Sequence, residues 1–169
     1  MARNVFFSFH YAEDCHRVSQ IRNIGAIHGN PVARDNDWES ITRGGDAAIE
    51  KWIDSQLEGT SCTVVLIGAH TAGRKWITHE IIRSWNRGNG VLGIYINGLR
   101  NLVGVTSTQG SNPFDNVTLF AGTLRQRLLS TVAPVANPWN LDSKGVYATI
   151  ANNFESWIEQ AIQARKNNQ

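Results

Sequence analysis

The chain has 169 residues, 41% of them hydrophobic and 18% charged, a length and balance that suit one globular unit with a sizeable core. Sixteen basic residues against fourteen acidic leave a formal charge of only +2, with no block of like charges, which argues against a nucleic-acid partner. No stretch approaches the ~18 apolar residues of a membrane span, and the apolar run Val5–Phe9 is too short for a signal-peptide core, so a cytoplasmic protein with no membrane partner is expected.

Asn4–Phe9 reads as a buried first strand, and from Ala12 to Gly25 the apolar period turns helical through Cys15, Val18, Ile21 and Ile24. Residues 31–45 are polar and irregular, with room for a short strand around Val32. A second helix follows Gly45, carrying Ile49, Trp52, Ile53 and Leu57 on one face. Ser61–Gly68 is a continuous apolar run of the kind found in central parallel strands. Trp76–Arg87 forms a third helix burying Ile77, Ile81 and Trp85, and Val91–Ile96 the next strand. Residues 98–145 are irregular; a fifth strand falls either at Val117–Phe120 or nearer Val132, and periodicity does not choose between them. Residues 146–166 form a last helix with one apolar stripe, Asp142 or Ser143 as its cap, and Arg165-Lys166 at its basic end. The alternation of strands and helices predicts a single α/β domain over 1–169, with a central, mostly parallel five-stranded sheet, flavodoxin-like in its three layers.

Ligands of such sheets sit beyond the carboxyl ends of the strands, which directs attention to Phe9–Asp14, Arg34–Trp38, Gly68–Trp76 and the chain after Asn97. Several motifs there fail on context. Gly88-x-Gly90-x-x-Gly93 spells a dinucleotide fingerprint, but it follows a helix and enters a strand, so it reads as a helix end and tight turn. Gly68–Lys75 misses the phosphate-binding loop at its lysine and hydroxyl positions, which hold Arg74 and Lys75. His79-Glu80 opens like a zinc-protease helix, yet Arg83 stands where the second histidine belongs. A phosphoacceptor domain needs an aspartate at the end of the central strand, and Leu66-Ile67-Gly68-Ala69-His70 has none. Cys15 and Cys62 have neither disulfide nor metal spacing and read as reduced thiols in or near the core. No metal or cofactor is expected. Of the six tryptophans, Trp52, Trp85 and Trp157 fall at helical core positions, whereas Trp38, Trp76 and Trp139 stay open to a functional role.

Two segments remain. Phe6-Phe7-Ser8-Phe9-His10-Tyr11 leaves the first strand, and Lys75-Trp76-Ile77-Thr78-His79-Glu80 opens the third helix, with Trp76 and Glu80 four residues apart. By helix position alone Glu80 reads as a surface carboxylate pairing with Arg83 or Ser84. These segments, together with Asn97 and Asn112-Pro113-Phe114-Asp115, resemble the TIR superfamily, and within it the TIR-like proteins of Thoeris anti-phage defence. The likeness covers about residues 3–115, departing at His10-Tyr11, where many TIR domains carry a basic pair, and at Arg34–Trp38.

The resemblance implies a TIR-like fold and an enzyme whose Trp-x-x-x-Glu pattern supplies Glu80 as the catalytic carboxylate, with NAD as substrate. Phe9, His10, Tyr11, Asp37, Trp38 and Trp76 are then the expected substrate-binding residues. The chemistry is consistent with so sparse a site. Nicotinamide is already a cationic leaving group, so cleaving its bond to ribose needs no general acid, only a carboxylate to stabilise an oxocarbenium-like ribose. Water as acceptor gives ADP-ribose; a hydroxyl of the same molecule gives a cyclic isomer. The relatives imply the cyclic product, a nucleotide signal to a separate effector, and a site completed by self-association. The competing expectations are a silent TIR interaction module and a nucleoside deoxyribosyltransferase-like enzyme, for which no further carboxylate or amide set is evident.

Overall fold

The computed structural model describes residues 3–24, 27–29 and 41–169, the segment 27–29 by its backbone alone. Among them five parallel strands form one sheet in the order β2-β1-β3-β4-β7: β1 (Arg3–Phe9), β2 (Ile27–Gly29), β3 (Cys62–Ile67), β4 (Gly90–Tyr95) and β7 (Val135–Ala136). The helices are α1 (Tyr11–Arg22), α2 (Asp46–Leu57), α3 (Lys75–Asn86) and the 24-residue α4 (Ser143–Lys166). Two further short strands, β5 (Thr118–Leu119) and β6 (Arg127–Leu128), pair antiparallel in a separate ribbon. The α/β fold read from the sequence is the one observed. No helix among the described residues is long and apolar enough to cross a membrane.

Strand alternation sorts the core into two faces. Val5 and Phe7 of β1, Cys62, Val64 and Leu66 of β3, and Leu92 and Ile94 of β4 pack under α1 and α4. On the opposite face Val65, Ile67 and Val91 meet Ile77, Ile81 and Trp85 of α3, while Phe6 meets Ile49, Ile53 and Leu57 of α2. β3, whose side chains are all buried, is the middle strand, as its uninterrupted apolar run requires.

The fifth strand is Val135–Ala136, just beyond Val132, and not the Val117–Phe120 stretch, of which Thr118–Leu119 enters the ribbon. Two residues are too short for a period to show, and backbone bonding places them: Gly93 N–H donates to Pro134 C=O at 3.0 Å. The first helix stops at Arg22, earlier than Gly25. The strand expected around Val32 lies outside the described residues; the strand beside β1 is Ile27–Gly29.

The glycine-rich turn behaves as its context requires. Gly88 follows α3 at φ +91°, a left-handed helix end. A Cβ on Gly90 would meet the Ile162 backbone nitrogen of α4 at 2.7 Å, so the last helix crosses β4 in direct backbone approach. Asp142 caps α4 by accepting from Gly145 N–H at 2.7 Å.

Candidate functional site

α3 exposes Lys75 and buries Ile77, Glu80, Ile81, Ser84 and Trp85. A helix turns 100° per residue, so positions 80 and 84 lie within the same inward arc as the apolar 77, 81 and 85. Glu80 is therefore an interior residue, 6% exposed, and not the surface carboxylate that helix position alone allows. Its partner is Ser8, a buried hydroxyl in β1 that donates to Glu80 Oε2. One step along the same interface, Thr63 Oγ1 and Ser84 Oγ stand 2.6 Å apart, and Ser84 Oγ also donates to Glu80 C=O at 2.7 Å. Two polar rungs thus cross an otherwise apolar contact between α3 and the sheet.

Burial dominates the electrostatics of Glu80. Loss of hydration raises its pKa from 4.5 to about 8, and the Ser8 hydroxyl pulls in the opposite direction. In the unliganded protein at neutral pH the carboxyl is mostly protonated. A cation brought close to it would favour the anion.

Neither neighbour that helix position suggested is an ionic partner. Arg83 forms a two-pronged bond to Asp54 of α2, both N–O distances 2.9 Å. Eight residues earlier Lys75 pairs with Asp46, eight residues before Asp54. The two pairs lash α2 alongside α3.

Trp76 is partly buried against Phe6, Ile49, Ile53 and Leu57, with Lys75 Nζ 4.7 Å above its ring and the His79 ring edge-on at 5.6 Å. Phe9 falls on the other face of the sheet, partly buried against the cluster that holds Phe7 and Val18, while Ser8, its neighbour, faces Glu80. Phe9 and Tyr11 pair with ring centroids 6.0 Å apart. His10 bridges the end of β1 and the start of α1, its Nδ1 3.6 Å from Glu13 Oε2. Burial, then the Arg74 charge, lowers its pKa. Glu13 also meets His70 Nδ1 at 2.9 Å. Asp37 and Trp38 lie outside the described residues.

The described structure thus unites Ser8 with Glu80 at the carboxyl end of the sheet, sets Trp76 one turn away on the same helix, and turns Phe9 to the opposite layer. Ser8 is the residue that sequence reasoning passed over. No group of three or more His, Cys, Asp or Glu among the described residues is arranged to hold a metal. Cys15 and Cys62 are free thiols, and burial raises the pKa of Cys62 far above the usual thiol range.

Comparison with known sequences bears on what this arrangement is for. The protein "Putative cyclic ADP-D-ribose synthase ThsB1" of Bacillus cereus (strain MSX-D12) is 38% identical over 120 residues, which span 68% of this chain and 62% of that protein. Residues 6–101, from β1 through α3 and β4 to the loop beyond, match the family profile described as Thoeris protein ThsB, TIR-like domain. The matched interval contains both Ser8 and Glu80. The chain belongs to the ThsB TIR-like family.

Proposed function

We propose that the chain processes NAD at Glu80, breaking the bond between nicotinamide and ribose. The observation that carries this is a single carboxyl group, buried between α3 and β1, hydrogen-bonded to Ser8, at the carboxyl end of a parallel sheet. A buried, raised-pKa carboxyl is costly to keep in a core unless it serves a reaction. The name of the Bacillus cereus relative, a cyclic ADP-D-ribose synthase, supports the same substrate class.

In this reading the cationic nicotinamide ribose draws Glu80 into its anionic form, the carboxyl proton passing to solvent as substrate binds. The C1′–N bond then breaks with its electron pair passing to the nicotinamide nitrogen, which leaves neutral. The carboxylate stabilises the positive charge spreading over C1′ and the ring oxygen. Ser8 fixes the carboxylate, and Trp76 and the His10 end of β1 border the space for the base. Capture of C1′ by water, with loss of a proton, yields ADP-ribose; capture by a nucleophile of the same molecule yields a cyclic product. We take the cyclic product as the output, a signal to a separate effector in anti-phage defence, with self-association completing the site.

The deciding experiment is incubation of concentrated protein with NAD, chromatographic resolution of nicotinamide and ADP-ribose isomers, and repetition with Glu80→Ala. Release that depends on Glu80 and rises more than linearly with protein concentration is expected. Release that survives the substitution overturns the assignment. No release at any concentration, even with phage-infected lysate, turns the reading to a TIR interaction module.

A further inference from the structure

Among the described residues, Trp139 is the tryptophan that neither the core nor the Glu80 site uses. It is 76% exposed, and Leu141 beside it is 90% exposed. Both line a cleft of about 530 Å³ between residues 97–107 and the approach to α4, together with Asn97, Arg100, Val105 and Asp142. The cleft adjoins α1 and α4, on the opposite layer of the sheet from Glu80.

Its wall is firmly built. Arg17, buried in α1, donates from Nε to Leu99 C=O at 2.9 Å and from Nη2 to Val105 C=O at 3.0 Å. Asn101 Oδ1 accepts from Val103 and Val105 N–H, Gly104 makes the turn at φ +82°, and Ser107 N–H closes the loop on Asn97 C=O at 2.9 Å. Arg100 N–H donates to Ser143 Oγ at 3.0 Å, tying this wall to the start of α4.

Three groups in this rigid setting are unspent among the described residues: the Trp139 indole, the Asn97 side-chain amide and the Arg100 guanidinium. They are the parts of a nucleotide site. An exposed indole flanked by apolar side chains stacks a base. An asparagine amide offers a donor and an acceptor to a base edge. A free arginine beside the amino end of a 24-residue helix suits a phosphate. Asp142 spends Oδ1 on the helix cap and keeps Oδ2 for a ribose hydroxyl. The volume lies within the range of small-ligand pockets.

We propose that this cleft binds a nucleoside 5′-phosphate, its base stacked on Trp139 and its phosphate held by Arg100 and the start of α4. The site is separate from Glu80 and does not depend on the reaction proposed there.

The test is calorimetric titration of the full chain with AMP, with adenosine and ribose 5-phosphate as partial probes. Saturable AMP binding is expected, weakened about tenfold or more by Trp139→Ala, the size a base–aromatic stack carries. Arg100→Ala should lower AMP affinity to that of adenosine, and Glu80→Gln should leave it unchanged. Because Trp139 and Arg100 are exposed, an unchanged thermal melt certifies both variants. AMP that fails to saturate at millimolar concentration overturns the proposal, as does binding indifferent to Trp139→Ala or abolished by Glu80→Gln. Loss of self-association in Trp139→Ala, with AMP binding retained, assigns the cleft to a second copy and overturns it as well.

Discussion

Ser8 and Glu80, seventy-two residues apart, meet inside the contact between the first strand and the third helix, the serine hydroxyl donating to the carboxylate. Each makes the other's burial tolerable, since a polar group in a dry interface without a partner carries its full desolvation cost. The pair has consequences for rate, for pH and for stability.

Glu80→Gln keeps the shape of the side chain and removes the charge. Nicotinamide release from NAD should fall on the order of 100-fold or more, the scale of losing a preorganised electrostatic stabiliser. Circular dichroism should be unchanged, which separates lost chemistry from lost fold.

The pH dependence follows from the same group. Its pKa is raised on folding from 4.5 to about 8, so the folded chain binds this proton more tightly than the unfolded chain. The stability Glu80 contributes is therefore full at low pH and is lost as pH rises between those values, levelling above about 8. Wild type minus Glu80→Gln melting temperatures, measured from pH 4 to 9, should decline over that window. Activity needs the anion and should run the other way, rising toward alkaline pH.

Ser8→Ala removes the bond that opposes burial, so the Glu80 pKa moves further up and the rising limb of the pH–rate profile shifts to higher pH. Stability should fall by about 1–3 kcal/mol in a denaturant titration. Ser8→Thr, which keeps the hydroxyl, should restore the position of the limb.

Arg83→Ala is the contrasting case. Arg83 and Asp54 are both more than a third exposed, and their pairing is worth about 1 kcal/mol or less. Nicotinamide release should survive in that variant, since Glu80 takes its hydrogen bond from Ser8.

Arg17→Met should cost about 3–5 kcal/mol. Arg17 and Asp14 are 4% and 1% exposed, Arg17 Nη1 lies 3.1 Å from Asp14 Oδ1, and Asp14 Oδ2 has no hydrogen-bond partner among the described residues. The variant strands a buried carboxyl whose pKa burial already raises, and chemical denaturation at pH 7 against pH 5 should show the loss larger at the higher pH.

The sequence shows most of this fold because its central strands are unbroken apolar runs and its helices carry clear stripes. Apolar letters alone do not show the burial of Glu80, because helix periodicity marks only the hydrophobic part of an inward arc. Ile77, Ile81 and Trp85 define an arc that also holds Glu80 and Ser84, whose polarity disguised them. The available signal lay elsewhere: Ser8 and Thr63 are polar letters on inward strand positions, and such residues need polar partners across the layer. Phe9, one residue past Ser8, takes the opposite face of the strand, against the cluster under α1 and α4. β7 escaped because two residues carry no period.

Arg17 grips the loop beyond β4 through the main-chain oxygens of Leu99 and Val105. The path of that segment is thereby specified from α1, together with Asn101 and Gly104 of the loop itself. Substitutions at exposed positions such as Leu102 and Val103 can alter what the loop touches while its path stays fixed. What this edge of the molecule presents to solvent is in that sense a replaceable fitting on a permanent mount.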